Sequence, residues 1–374
     1  MASPYLTIDL NKIEHNARTL VGFCRSQGIT VAGVTKVTCG HPAVAKAMLR
    51  GGVTAIADAR LEIIRRLEAA GIHSPFMLLR LPPLSAVNAV VAAVDLSLNS
   101  ELAVLTALSA AARRRGRIHR VIIMVDLGDL REGLWPDQLL PTVAEAIRLP
   151  GIAVVGVGAN LACLEGVVPS RENMSQLVAL AREVERTFDM ELEWVSGINS
   201  SGLELIASGQ MPRGVNHARL GESILLGRET VHRRPWPGTF QDSFILHAEI
   251  LELKRKPSLP IGQRTQDAFG QLPEVEDRGM GRRALLNVGR EDLNLAGVTP
   301  TDPRVHILGA SSGYLVADVS ELGGEVRVGD ELAFFLNYGA LLAAMTSAYV
   351  KKRPLPRGAA IDGVPETCAP VAST

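Results

Sequence analysis

The sequence is poor in the features that mark metal sites, membranes and nucleic-acid surfaces. Its 374 residues hold four cysteines, Cys24, Cys39, Cys163 and Cys368, with no metal-ligand spacing among them. They read as reduced thiols of a cytoplasmic protein. No HExxH, paired CxxC or EF-hand pattern occurs, so no metal is expected, and without a G-x-S-x-G elbow a serine hydrolase is disfavoured. Lys plus Arg and Asp plus Glu each number 39, which removes the electrostatic case for nucleic acid or an anionic membrane. No stretch approaches the ~20 uninterrupted apolar residues of a membrane span. Met1-Ala2-Ser3-Pro4 begins no basic segment followed by an apolar signal core, so a secreted protein is not expected.

What is present is a large apolar fraction, 47%, over a length that suggests two compact units. Residues 10 to 25 carry Ile13, Ala17, Leu20, Val21 and Cys24 near a 3.6 period, as a helix with one buried face does. Apolar strands are then expected near 31–34, 55–57, 76–79, 93–96, 121–125, 152–157, 194–195 and 215–220. Helical segments lie between them at 42–49, 61–70, 84–91, 100–114, 136–147, 172–188 and 203–207. Eight short strands, each followed by helical sequence, predict a closed (β/α)8 TIM-like barrel. An open doubly wound sheet would want a GxGxxG loop after its first strand, and none is there. After Pro235-Trp236-Pro237 the pattern changes to strand-like runs at 244–253, 284–288, 305–308, 315–319 and 331–336, set apart by glycine and proline. The expected organisation is an N-terminal strand in 1–10, packed on the β-domain, a barrel over 11–233, a C-terminal all-β domain over 234–353, and a disordered tail over 354–374.

Three strand ends concentrate chemistry. Lys36, one of only seven lysines, ends the first apolar run, at the face where barrels carry their active sites. A buried amine there sheds its proton readily and can form a Schiff base with an aldehyde cofactor; otherwise Lys36 is a strand-end lysine pointing to solvent. Cys39, close by, is either functional or a small apolar filler. Asp126-Leu127-Gly128-Asp129-Leu130-Arg131-Glu132-Gly133 follows the fifth barrel strand. Either Arg131 grips a carboxylate or phenolate with its planar fork, oriented by the acids, or the run is a surface turn. Ser196-Gly197-Ile198-Asn199-Ser200-Ser201-Gly202 follows the seventh strand, where hydroxyls and backbone N–H groups form either an anion site or a helix cap. The next loop, His217 to Ser223, contains Arg219, whose bland role is a structural salt bridge. Asn160 and Cys163 follow the sixth strand.

These runs, together with Val34-Thr35-Lys36-Val37, Lys254-Arg255-Lys256-Pro257-Ser258, Gly309-Ala310-Ser311-Ser312 and Met345-Thr346-Ser347-Ala348-Tyr349-Val350, resemble the pyridoxal-phosphate enzymes of alanine-racemase fold, and within them the alanine/ornithine racemase branch. The resemblance covers roughly residues 4 to 353. It implies that pyridoxal 5'-phosphate is held on Lys36, with Arg219 facing the pyridine nitrogen and Arg131 flanking the phenolate. It also implies a phosphate cup from Asn199, Ser200, Ser201, Gly221, Glu222, Ser223 and Tyr338. Asn160 stands where alanine racemases carry a histidine.

Two departures bear on the proton chemistry. Alanine racemases take a second base, a tyrosine, from the partner subunit, where this chain reads Val288-Gly289-Arg290-Glu291-Asp292. Arginine is a poor base. The ornithine branch carries Asp-His after Ser-Ser, but here Gly313-Tyr314 follows. Tyr314 is therefore either the second catalytic group beside Lys36 or a packing residue, with Arg290, Ser311 and Ser312 expected on the substrate. The resemblance implies a homodimer with shared active sites that racemises an amino acid, ornithine or another basic one, whose ammonium could meet Glu132, Glu222 or Asp292. A lyase, aldolase or single-face exchange enzyme on the same fold is the alternative. Outside catalysis stands a pyridoxal-phosphate carrier, which resembles the barrel alone, or a scaffold role if Lys36 binds no cofactor.

Overall fold

Short apolar strands satisfy their backbone groups by pairing, and helical crossovers between them favour the parallel arrangement. In the computed structural model, which describes residues 3–272 and 274–356, the chain divides into two units. One is Asn11–Gln241; the other joins the residues up to Leu10 to those from Asp242 onward. After β1 (Tyr5–Ile8), the first unit contains β2 (Thr30–Val34), β3 (Ala55–Asp58), β4 (Phe76–Leu78), β5 (Leu96–Asn99), β6 (His119–Met124), β7 (Ile152–Gly158), β8 (Trp194–Ser196) and β9 (His217–Leu220). They pair in parallel in the order β8-β7-β6-β5-β4-β3-β2-β9. The parallel bridge Ile198↔Ala218 and the bond from Arg219 N–H to Ile198 C=O (2.9 Å) join the two ends into a barrel.

Strand parity fills the interior. Ala32, Ala57, Met77, Leu96, Leu98, Ile122 and Met124 form one buried cluster, with Val34, Ala55, Leu79, Val155 and Trp194 against it. Only the inside of a ring lets alternate residues of so many strands meet. Ala32 lies beside Arg219 in the β2–β9 register, so Arg219 joins this inner layer. The strand expected at 93–96 begins only at Leu96, because Val87–Ala93 is helical. A short apolar run does not by itself distinguish the two states.

The barrel unit ends at Gln241 rather than at the expected 233, for a visible reason. Asn16, fully buried on the helix Leu10–Ser26, donates to Ile224 C=O (3.0 Å) and Phe240 C=O (2.8 Å) and accepts from Phe240 N–H (2.8 Å). Thr239 also donates its hydroxyl to Gly227 C=O (2.8 Å).

The second unit is antiparallel. It contains β10 (Phe244–Pro257), β11 (Met280–Leu286), β12 (Val298–Pro300), β13 (His306–Ala310), β14 (Leu315–Asp318), β15 (Glu331–Leu336) and β16 (Lys351–Pro354), in the order β12-β15-β10-β11-β14-β13. β1 pairs antiparallel with β10 and parallel with β16. Of the tail expected over 354–374, Pro354 is in β16 opposite Ile8, and residues 357–374 lie outside those described. The all-β expectation also missed the helix Tyr338–Thr346. Its sequence, Tyr-Gly-Ala-Leu-Leu-Ala-Ala-Met-Thr, is apolar on nearly every side and shows no helical stripe.

Asn16→Ala should leave the Phe240 N–H and two carbonyls without partners and cost about 2–4 kcal/mol. Urea denaturation followed by circular dichroism checks this; an unchanged midpoint would mean water replaces the side chain.

Candidate active site

Lys36 opens a single 3-10 turn, Lys36–Thr38, immediately after β2. The turn is fixed from below. The Thr35 hydroxyl donates to buried Asp58 (2.7 Å), the Thr38 hydroxyl donates to Thr35 C=O (2.9 Å), and Cys39 closes the turn at φ 49°. Asp58, at the end of β3, feels the Lys36 charge; burial pushes its carboxyl up while the Thr35 hydroxyl and backbone N–H groups pull it down. Lys36 itself is exposed, which corrects the expectation of a buried amine. Its own chain leaves the amine accessible at the strand end.

The loop after β6 is built around acids. Asp126 accepts from Gly128 N–H (2.9 Å), Leu130 N–H (3.2 Å) and Arg131 N–H (3.1 Å). Asp129 does not hold Arg131. It reaches instead to the loop after β7 and accepts from Cys163, Leu164 and Val167 N–H at 3.2, 2.9 and 3.1 Å. Gly133 closes the turn at φ 140°, where a Cβ would lie 2.3 Å from Asp126 N. Arg131 and Glu132 pair at 2.5 Å. Burial pushes the Glu132 carboxyl up, against the opposing pull of Arg131, Arg219 and Lys36.

Arg219 is buried inside the barrel. Its guanidinium donates to Ser196 C=O (2.8 Å), Ala159 C=O (2.7 Å) and the Ser196 hydroxyl oxygen. These acceptors are neutral, so the bland reading of a salt bridge gives way to a cation held by dipoles. Burial lowers Arg219 to about 10, which leaves it charged at neutral pH and able only to donate. Ser196 Oγ also lies 2.7 Å from His217 Nδ1. With Arg219 already donating to that oxygen, we assign the serine proton to Nδ1, which puts the proton of neutral His217 on Nε2. His217 stacks on Trp194 at 4.9 Å, and burial lowers it to about 3.

The ends of β7, β8 and β9 form one hydroxyl-rich cluster. Asn199 donates to Asn160 Oδ1 (3.2 Å) and Leu161 C=O (2.7 Å), while its own Oδ1 accepts from Ser201 N–H (2.8 Å) and the Ser201 hydroxyl (2.5 Å). Ser200 Oγ accepts from Ser223 N–H (3.1 Å) and lies 3.0 Å from Ser223 Oγ. Gly221 precedes the short helix Glu222–Leu226, and the Glu222 carboxylate pairs with Arg233. Thus Lys36, Arg131, Asn160, Asn199, Ser200, Ser201, Arg219, Gly221, Glu222 and Ser223 all stand at C-terminal strand ends of one barrel. Ser196, His217, Thr35 and Asp58 had no role in the sequence reading. Ser196 and His217 fell within the singled-out runs, and Asp58 could have been noticed as an acid ending an apolar strand.

In the β-domain unit, Arg290 N–H donates to Ser311 C=O (3.0 Å), and Tyr314 N–H donates to Ser311 Oγ (3.1 Å). The residues expected on the substrate, Arg290, Ser311 and Ser312, therefore form one loop cluster with the candidate base Tyr314, which is exposed. The Arg290 guanidinium lies 4.5 Å over Phe269 and 3.7 Å from Asp267. Tyr338 begins the helix Tyr338–Thr346. Among the described residues no histidine, cysteine and carboxylate cluster could hold a metal.

A parallel barrel joined in sequence to a β-domain, with an accessible lysine, a buried arginine and hydroxyls at its mouth, is the arrangement expected of the alanine-racemase fold. The chain belongs to the alanine racemase family: the model described as "Alanine racemase, N-terminal domain" matches residues 8–229. It is 42% identical to an ornithine racemase of Acetoanaerobium sticklandii, covering 94% of this chain and 99% of that one. It is 38% identical to a lysine racemase of Thermotoga maritima over 94% and 98% of the two chains. Among solved structures, an alanine racemase from Bartonella henselae with covalently bound pyridoxal phosphate matches with a TM-score of 0.72 at 18% identity, covering 95% and 100%.

His217 should give no imidazolium signal between pH 5 and 9 and should carry its proton on Nε2. Nitrogen-resolved NMR of labelled protein tests this; titration near the ordinary histidine value, about 6.5, would overturn the assigned bonding.

Proposed function

We propose that this protein is a pyridoxal-phosphate-dependent racemase of a basic amino acid, ornithine first. The observation that carries the reading is the joint geometry of the barrel mouth: an accessible Lys36 amine, a buried Arg219 cation and the Ser200–Ser223 hydroxyl pair. The donor set fits the cofactor. Ser200, Ser201 and Ser223 suit a phosphate, Arg219 offers N–H to a ring nitrogen, and the Arg131 fork suits a phenolate. Pyridoxal phosphate, when bound, supplies the electron sink that acidifies an amino acid's α-proton. Similarity to ornithine and lysine racemases over 94% of the chain supports a substrate with a distal ammonium.

In this mechanism Lys36 Nζ anchors the cofactor and moves the α-proton on one face of the substrate. Arg219 can only donate, so it would leave a ring nitrogen of the bound cofactor unprotonated, which would favour proton return over other bond breaking. Asn160 and Asn199 brace the phosphate loop, while Gly221 and Glu222 complete the cup. Arg290, Ser311 and Ser312 bind the substrate carboxylate. Tyr314 serves the second face from the partner subunit, so the protein acts as a homodimer with shared sites. Cys24 and Cys163 are free thiols, which supports a cytoplasmic setting.

The reading is tested by incubating the holoenzyme with each enantiomer of a panel of amino acids, followed by chiral chromatography. Ornithine or lysine should invert fastest, and Lys36→Ala should abolish both inversion and borohydride-fixed cofactor. Cleavage to glycine and an aldehyde would instead make it an aldolase, and a reduced cofactor on another lysine would overturn the anchor.

Tyr314→Phe should cost ~10²–10⁴ in racemisation. Solvent deuterium should still enter the enantiomer served by Lys36, and mixed dimers of Lys36→Ala with Tyr314→Phe should regain activity. Near-wild-type rates would remove Tyr314 from the chemistry.

A further inference from the structure

Glu132 stands at the barrel mouth under the influence of Arg131, Arg219 and Lys36. Its side chain is only 15% exposed, and one carboxylate oxygen binds an Arg131 Nη at 2.5 Å. The charged groups acting on it come from three elements: Arg131 beside it on the loop after β6, Arg219 on β9, and Lys36 after β2. Arg219 in turn has only neutral groups in hydrogen-bonding contact, and the charges that act on it are those of Glu132, which favours its cation, and Arg131, which opposes it. Both guanidiniums therefore act on the Glu132 carboxylate, and the Arg131 charge opposes that of Arg219. Arg131 is the more exposed member, with 37% of its side chain open to solvent on a long stem. Only its backbone N–H is held by Asp126.

We infer that Glu132 is a positioning residue for the racemase reaction: it fixes the Arg131 head group and supplies the countercharge that lets Arg131 and Arg219 occupy the same barrel mouth. The carboxylate must be ionised to do this. Burial raises its protonation point above the usual carboxylate range, so the grip on Arg131 is complete above that raised point and is lost as pH falls through it. The inference rests on the racemase reading for its kinetic consequences, but the hold on Arg131 is measurable without cofactor or turnover.

The direct test is modification of cofactor-free protein with phenylglyoxal, with rates read arginine by arginine from peptide maps. Arg131 should react several-fold faster in Glu132→Gln and at an intermediate rate in Glu132→Asp, while buried Arg219 stays protected in all three. An unchanged Arg131 rate overturns the inference, as does a general rise that includes Arg219, which would mean the substitution opens the barrel. In holoenzyme, Glu132→Gln should lower kcat by ~10²-fold, the scale of a misplaced group, and equally for a basic and a neutral amino acid. The acidic fall of the wild-type pH profile should flatten in this variant. Arg131→Met and the Arg131→Met/Glu132→Gln double variant should lose the same activity, because Glu132 acts through Arg131. Additive losses would overturn that route, and a loss confined to basic substrates would make Glu132 a contact for the substrate ammonium instead. Should the wild type racemise nothing, the racemase reading fails while the modification rates still decide the role of Glu132.

Discussion

A guanidinium inside a parallel barrel is the group around which the rest of this protein has to be arranged. Arg219 is turned inward by the parity of β9, in register with Ala32, and cannot shed its charge near neutral pH. Leaving its donors unmet would cost several kcal/mol each in a dry interior. The ends of β7 and β8 meet that demand with Ala159 C=O, Ser196 C=O and the Ser196 hydroxyl. The serine's remaining proton goes to His217, and burial keeps that ring neutral. One cation thus fixes the serine rotamer, the histidine tautomer and the spacing of three strand ends.

Around that centre, short acidic residues act as scaffolding. Asp126 gathers three N–H groups of its own loop, and Asp129 gathers three from the next one, tying the Arg131 loop to the Asn160 loop. Glu229 does the same for Val231, His232 and Arg234. A carboxylate accepting several backbone donors fixes a loop that has no regular structure. Such loops can then present Lys36, Arg131 and the serines from a rigid frame. The low aromatic content, 4%, fits this design, because aliphatic and alanine side chains fill the narrow barrel.

The β-domain follows a different rule. Its order comes from long antiparallel pairing along β10, which takes β1, β11 and β15 as partners. The turn of Ser311 to Tyr314 packs against Gly289, where a Cβ would meet Ser312 C=O at 2.0 Å. That close approach explains why glycine precedes Arg290 and why the arginine and the serine turn form one cluster.

Much of this was legible in the chain itself. Repeated apolar runs separated by 3.6-period segments carried the barrel, since each strand and helix writes its own local period. The polar runs at strand ends carried most of the site, because an open barrel mouth is the natural setting for acids, arginines and serines after apolar strands. The exact start of β5, the helix Tyr338–Thr346 and the last strand Lys351–Pro354 were not legible: their sequences are uniformly apolar or merely extended, and neighbours decide their state. Nor could sequence say that Asp129 serves a different loop from Asp126, or that Arg219 is bound by carbonyls rather than by an acid. Those outcomes depend on distances between residues far apart in the chain, which exist only once the ring has closed. The sequence by itself determined the repeating strands and helices of the barrel and which residues reach its mouth. Tertiary structure alone decided the charge environment of each, because burial and the neighbouring strand, not residue type, set what a buried charge can bond.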